Sequence, residues 1–285
     1  AASDNGLRTE VTPFPEGPDG AVARIEFSEA EVESDPLAAF LETRCTNRNA
    51  YKKIPLSDDV SRRLAATTAP QGAHLHLIED RKIMRSIASL GAAVDSIIFN
   101  HPLLHANLFR WIRWNEREIR ATRDGMPAGS LELSSPERLF FRMLSSWQLQ
   151  KLLNLFGTHR MIGIINSGLL TSASALGIIV MDSAENVDFF NGGRFFERVW
   201  LQATSLGLSF QPFGGVPFLL TRIMMAGEAG FSKKQYVRLT KVSRELQEIV
   251  PFAEKNAMII LFRVGYAGQP TIRSIRRPIE EVLSC

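Results

Sequence analysis

GGRFFERVWLQATSLGLSFQPFGG, residues 192–215, joins a helical repeat to a glycine-closed turn. Phe195, Phe196, Val199, Trp200, Ala203 and Leu206 recur at three- and four-residue spacing, which places them on one strongly apolar helix face. Gly207 suits the left-handed position that ends such a helix. The next stretch, LGLSFQPFGGVP, sets Gly214 and Gly215 between Pro212 and Pro217. Adjacent glycines allow a backbone to approach a flat ligand closely and to present unshielded N–H groups to it. A loop that merely connects two helices carries the same glycines, so the turn does not by itself specify a function.

Outward from this stretch the chain alternates between helices and isolated strands. Ser232 begins a charged amphipathic helix that runs through Val250, and AMIILFRV at residues 257–264 reads as a fully buried strand. Upstream, residues 175–181 read as another core strand and residues 73–79, AHLHLIE, alternate as a half-buried one. Helices fit residues 80–98 and 103–120, with a turn at residues 124–127. A further helix opens at Ser135-Pro136-Glu137 and runs to Gly157, and another starts at Ser57. Asp35-Pro36 supplies a cap and a first-turn proline for a helix bearing Leu37, Phe40 and Leu41. Residues 1–35 are acidic and irregular, with one strand at residues 21–27. Strands separated by several helices, with no regular βαβ alternation, predict an α+β fold formed as one compact unit from residue 36.

The composition narrows the classes of function. The chain has 285 residues, 45% of them apolar, and 33 Lys+Arg against 30 Asp+Glu give a net charge of +3. Such a chain buries a core and is not disordered. Cys45 and Cys285 stand at opposite ends without zinc-type spacing, so a reducing cytosol is the expected compartment. A charge this small makes no case for nucleic acid, while a pI near 9.0 permits a phosphate-bearing ligand. The uncharged run at residues 161–181 has the length of a membrane span, but Asn166, Ser167, Thr171, Ser172 and Ser174 make it buried soluble structure. No GxGxxG, P-loop, GxSxG or HExxH motif occurs, and the pairs His74/His76 and His101/His105 lack metal-ligand context. No metal is expected.

Two basic elements remain. In RCTNRNAY, residues 44–51, Arg44 and Arg48 stand four apart and share a face if the preceding helix continues. Two guanidiniums with a hydroxyl between them suit a phosphate and polyol, and equally suit a solvated helix end that complements the dipole. Near the other terminus, Arg273 and Arg276-Arg277-Pro278 follow the last strand, either as a basic tail or as the far side of a phosphate site.

RCTNRNAY, the LFRWIRWNE and RDGMP segments, residues 192–215, and VGYAGQPTIRSIRRP stand in the order found in flavin-dependent nitroreductases. Over roughly residues 36–280 the sequence resembles that family, most closely the Acg-type nitroreductase-like proteins of mycobacteria. The resemblance implies a mostly antiparallel central sheet flanked by helices, with residues 36–285 as the flavin-binding domain. It also implies FMN, with Arg44, Cys45 and Thr46 at the phosphate and ribityl chain, Arg48 near the N1/O2 edge, and Pro212, Phe213, Gly214 and Gly215 beside the ring. Arg276 matches the C-terminal phosphate contact, and Arg273 is a weaker match. The implied activity is an FMN-dependent oxidoreductase passing electrons from NAD(P)H to a small electrophile. The cofactor carries that chemistry, which agrees with the lack of a nucleophile or titrating acid in the motifs.

The family's upstream Ser-x-x-Asn-x-Gln-Pro-Trp element has no counterpart before Arg44. Residues 1–35 are therefore expected to be the remnant of an upstream half-module, or a linker from an adenylating-enzyme-like domain. Two other readings follow from the resemblance: a non-catalytic FMN-binding or storage protein, and a tailoring dehydrogenase working with that upstream domain. Without the upstream half, the apolar helix at residues 195–206 is expected to be left partly uncovered, which predicts a homodimer or a partner segment.

Overall fold

The computed structural model describes residues 2–253 and 255–283; Cys285 lies outside the described residues. Its centre is a four-stranded antiparallel sheet formed by β3 (Ala73–Ile78), β6 (Ala175–Met181), β8 (Ala257–Gly265) and β7 (Ser209–Phe213), in that order across the sheet. All seven residues of β6 are buried because helices cover both faces. On one face lie α2 (Arg81–Ile98), α7 (Thr158–Ser172), α9 (Gly215–Ala226) and α10 (Lys233–Ile249). The other face is covered by α8 (Asn186–Ser205) and α1 (Asp58–Ala65). Phe262 of β8 lies over Gly177 of β6, where an added Cβ would meet its ring at 2.0 Å. The same ring stacks on Phe210, with centroids 4.5 Å apart, and Phe210 stacks on Trp200 at 5.0 Å.

The expected α+β arrangement and antiparallel sheet are present, and so are the caps at Asp80, Ser57 and Ser232. Several local expectations are corrected. Residues 7–29 are an antiparallel hairpin, not irregular chain: β1 (Leu7–Pro13) pairs with β2 (Ala23–Glu29), and the β2 sequence ARIEFSE alternates apolar with charged or hydroxyl residues. The Asp35-Pro36 cap opens only a 3-10 turn, Pro36–Phe40, so no helix reaches Arg44. The single helix expected at residues 103–120 divides into α3 (Pro102–Arg110) and α4 (Glu116–Thr122). Between them, β4 (Ile112–Arg113) pairs in parallel with β5 (Met126–Pro127), and Asn115 caps α4.

The helix expected from Ser135 to Gly157 likewise breaks into α5 (Ser135–Met143) and α6 (Trp147–Asn154). Gly157 does adopt the left-handed conformation, with φ 85°, just ahead of α7. The uncharged run at residues 161–181 is most of α7 followed by β6. Among the described residues no single helix is long and apolar enough to cross a membrane. Only α2 and α3 together pass that test, and they meet at a 95° bend with α2 packed in the core.

The apolar face of α8 is covered, contrary to expectation: Phe195, Val199, Trp200 and Ala203 are all buried against the sheet. Uncovered apolar side chains occur instead on α7 and just before it, with Leu155, Phe156, Ile164 and Ile165 exposed.

Candidate flavin site

After the 3-10 turn the chain extends along the edge strand β7. Thr46 forms a parallel bridge with Phe210, and the Asn47 N–H donates to the Phe210 carbonyl at 2.8 Å. Asn47 is buried, and its amide donates to Ser209 Oγ at 3.1 Å and to the Gly268 carbonyl at 2.7 Å. Asn49 donates to the carbonyls of Gly268 and Gln269, and its own N–H donates to Asn47 Oδ1 at 3.1 Å. Two asparagines thus fasten residues 44–51 both to β7 and to the segment that leaves β8.

Arg263 anchors the arrangement from beneath. It is fully buried in β8, with Nε donating to Gln211 Oε1 at 2.8 Å and Nη2 to the Asn49 carbonyl at 2.8 Å. Its Nη1 donates to the Leu169 carbonyl at 2.7 Å and to Ser172 Oγ at 3.1 Å, and its guanidinium lies 3.9 Å from the Tyr51 ring centroid. Burial pushes the Arg263 pKa down to about 10 and the Tyr51 hydroxyl well above its usual value. Tyr51 donates to the Asn47 carbonyl at 3.0 Å. An arginine in the middle of AMIILFRV was the visible signal for this network, since a charge within a fully apolar strand needs partners.

The predicted arginines do not converge on one point. Arg44 pairs with Glu197 of α8 and lies 4.8 Å from the Trp200 ring centroid. Arg48 points elsewhere, with Nη1 donating to the Ser130 carbonyl at 3.2 Å. Burial lowers its pKa against the opposing field of Glu132. They share no helix face, because the helix that would have aligned them is absent. Cys45 is a partly buried free thiol between them.

The C-terminal segment does return to this region. Thr271 bonds Glu132, its N–H donating at 2.7 Å, and Arg276 Nη2 donates to the Leu41 carbonyl at 3.2 Å. Ile272 packs so closely on Gly129 that a Cβ there would meet it at 2.4 Å. Arg273 is exposed.

Pro212 and Phe213 end β7, and Gly214 and Gly215 form the N-terminus of α9 and not an open loop. Gly214 has an ordinary φ of −76°, so left-handed freedom is not what selects glycine there. Space is the relevant property: a Cβ on Gly214 would meet nothing within 4 Å, whereas one on Gly215 would meet Ile98 at 3.1 Å and Asp95 Oδ1 at 3.8 Å. No side chain caps α9, which leaves first-turn N–H groups at a position favourable to electron-rich atoms. Asp95, which the sequence reading missed, accepts from Asn166 Nδ2 at 3.0 Å, and burial raises its pKa to about 6.

No family model matches the chain. Over 270 residues it is 26% identical to an uncharacterized protein of Mycobacterium tuberculosis, an alignment covering 89% of this chain and 37% of that protein. The chain thus spans under two thirds of the curated relative it matches. Among solved structures it is similar to a nitroreductase with bound FMN from Desulfitobacterium hafniense, at 12% identity and a TM-score of 0.51, covering 89% of this chain and 99% of that one. The fold is nitroreductase-like. A BluB-like flavoprotein from Clostridium difficile is also similar, at 14% identity and a TM-score of 0.49 over 88% of this chain and 99% of its own. A nitroreductase-like family protein from Bacillus cereus matches at 15% identity and a TM-score of 0.46 over 90% and 98%. Within this nitroreductase-like fold, β7 carries Thr46 and Asn47 along one edge and the Gly214–Gly215 turn at its end.

Proposed function

We propose that the chain is a flavoprotein oxidoreductase that holds FMN and passes electrons from NAD(P)H to a small electrophile in the cytosol. The observation carrying this reading is the placement of two unlike donor sets along one edge strand. Arg48 and the Asn47-fastened segment stand at the start of β7, and the uncapped N-terminus of α9 stands at its end. The residues present fit the group: Arg48 has only a carbonyl acceptor, and the space beside Gly214 is open.

Bound FMN would supply the redox chemistry itself. The chain's own part is binding and orientation. Arg48 and, from the C-terminal segment, Arg276 would offer charge to an anionic group, with Thr46 and Cys45 close to Arg48 along the extended segment. The first-turn N–H groups of α9, at Gly214 and Gly215, donate to polar ring atoms, and Pro212 and Phe213 fix where that turn stands. Arg44 is already held by Glu197 and Trp200, so its role is to set the course of the segment.

Purified protein titrated with FMN and then reduced anaerobically by NADPH tests the proposal. Quenching of flavin fluorescence followed by bleaching of the visible bands is expected. Absence of binding in excess FMN refutes it, and bound flavin that dithionite reduces but neither NADH nor NADPH does favours the storage reading. We also propose a homodimer formed through the exposed Ile164 and Ile165 of α7 together with Phe156. Light scattering of wild type and of Ile164→Glu tests this second point; a monomeric wild type refutes it.

A further inference from the structure

Phe14 follows β1 at the tip of the N-terminal hairpin and has φ 46°, in the left-handed region. A bulky side chain is rare there, and glycine would occupy the position freely. The strained backbone is held by the Phe14 N–H donating to the Val22 carbonyl at 3.0 Å and by the Gly17 N–H donating to the Phe14 carbonyl at 3.0 Å. Its consequence is to direct the ring edge-on against Phe190 of α8, with centroids 6.3 Å apart. A residue kept at an unfavourable φ where glycine would be relaxed indicates that the side chain itself is required.

That ring lines one side of an open groove of about 630 Å³ between the hairpin, α8 and α9. Phe189, Phe190, Phe218 and Met225 form its walls, Gly214 lies at its edge, and no charged side chain lines it. The volume is within the range of small-molecule sites, roughly 300–1,000 Å³. Phenyl rings from three elements and a polarizable thioether favour an aromatic guest. An ionised guest would lose hydration with no counter-charge to replace it.

We infer that this groove is a binding site for a flat, uncharged aromatic molecule, with the hairpin along one side and Phe14 as its aromatic contact there. Of the residues expected to touch flavin, the lining includes only Gly214, so the site stands or falls separately from FMN binding. Once the hairpin is in place, the energetic reason for Phe14 is contact with the guest and with Phe190 together.

Fluorescence titration of the full chain, without FMN, with the uncharged probe N-phenyl-1-naphthylamine tests the site. Saturable binding is expected, weakened at least tenfold by Phe14→Gly and by Met225→Glu. Phe14→Gly relieves the positive φ, so it is expected to keep or raise the melting temperature, and lost binding in that variant is not misfolding. Phe27→Ala, on β2 and outside the lining, is expected to bind as wild type does. Failure of the wild type to bind saturably, or wild-type binding by both Phe14→Gly and Met225→Glu, overturns the inference. FMN affinity, measured on the same variants, is expected to stay unchanged.

Discussion

Asp95→Asn removes a carboxylate whose ionisation the fold opposes. Asp95 stands on α2 beneath the start of α9, with the Asn166 amide as its hydrogen-bond donor and no cation paired with it among the described residues. Burial is the larger influence and Asn166 the opposing one, leaving the carboxyl at about 6. Against an unfolded value of ~3.9, and at 1.36 kcal/mol per pKa unit, ionisation at neutral pH costs the native state about 2–3 kcal/mol. The sign follows from proton binding: between roughly pH 4 and pH 6 the folded chain holds a proton that the unfolded chain has released. Stability attributable to Asp95 therefore falls as pH rises through that window and is level above it. Asparagine keeps the shape and an acceptor oxygen for Asn166 but carries no charge. Urea denaturation of both proteins from pH 4.5 to 7.5 is the assay, because other titrating groups cancel in the difference. Asp95→Asn should be more stable by about 1 kcal/mol at pH 4.5 and by about 2–3 kcal/mol at pH 7.5, with an unchanged m value. A difference independent of pH, or a variant less stable at pH 7.5, refutes the argument.

Other outcomes follow from single contacts. Gly163→Ala places a Cβ 2.4 Å from the Ala92 carbonyl oxygen, a backbone atom, so α7 must move off α2 and the unfolding free energy measured in urea should fall by about 3 kcal/mol. Ser232→Ala removes the acceptor for the Gln235 N–H at the start of α10 and should cost about 1 kcal/mol in the same assay. Arg48→Ala should weaken FMN at least tenfold while Arg44→Ala mainly lowers thermal stability, as followed by flavin fluorescence and circular dichroism; equal losses of affinity would contradict the division between them.

Long periodic elements and strong caps were legible because each depends on local chemistry. Helix α8 was visible in its apolar spacing, β6 and β8 in their unbroken apolar runs, and α10 in Ser232. What escaped depends on contacts distant in sequence. Strand β7 is only five residues long and contains Pro212, yet it is a strand because Phe210, Gln211 and Phe213 have partners on β8. Helix α9 starts on two glycines and has Pro217 in its first turn, a composition that reads as loop, and its packing is visible only in the structure, where a Cβ on Gly215 would press on the end of Ile98 at 3.1 Å. The expected alignment of Arg44 with Arg48 assumed a continuing helix, whereas the backbone found hydrogen bonds along β7 instead. Asn47 and Asn49 lay inside the quoted motif, but their acceptors at residues 268–269 could not be inferred from spacing.

Arg263 places an unpaired cation inside the sheet of a chain whose net charge is only +3. All of its hydrogen-bond acceptors are neutral, and among the described residues no carboxylate pairs with it. Removing a guanidinium from water without a counter-charge is unfavourable, and its lowered pKa expresses that cost. Arg48 adds a second cation whose field acts on Arg263, and Glu132 is the carboxylate whose field favours the Arg48 charge. An anion near Arg48 therefore interacts favourably with both cations, and its binding should raise the stability of the folded chain. For a single site at a hundred times Kd the gain is about 2.7 kcal/mol. Inorganic phosphate should accordingly raise the thermal midpoint beyond an equal ionic strength of chloride, and Arg48→Gln should remove most of the difference. Equal midpoints in the two salts for the wild type would show that the two cations are satisfied by their neutral acceptors and attract no anion.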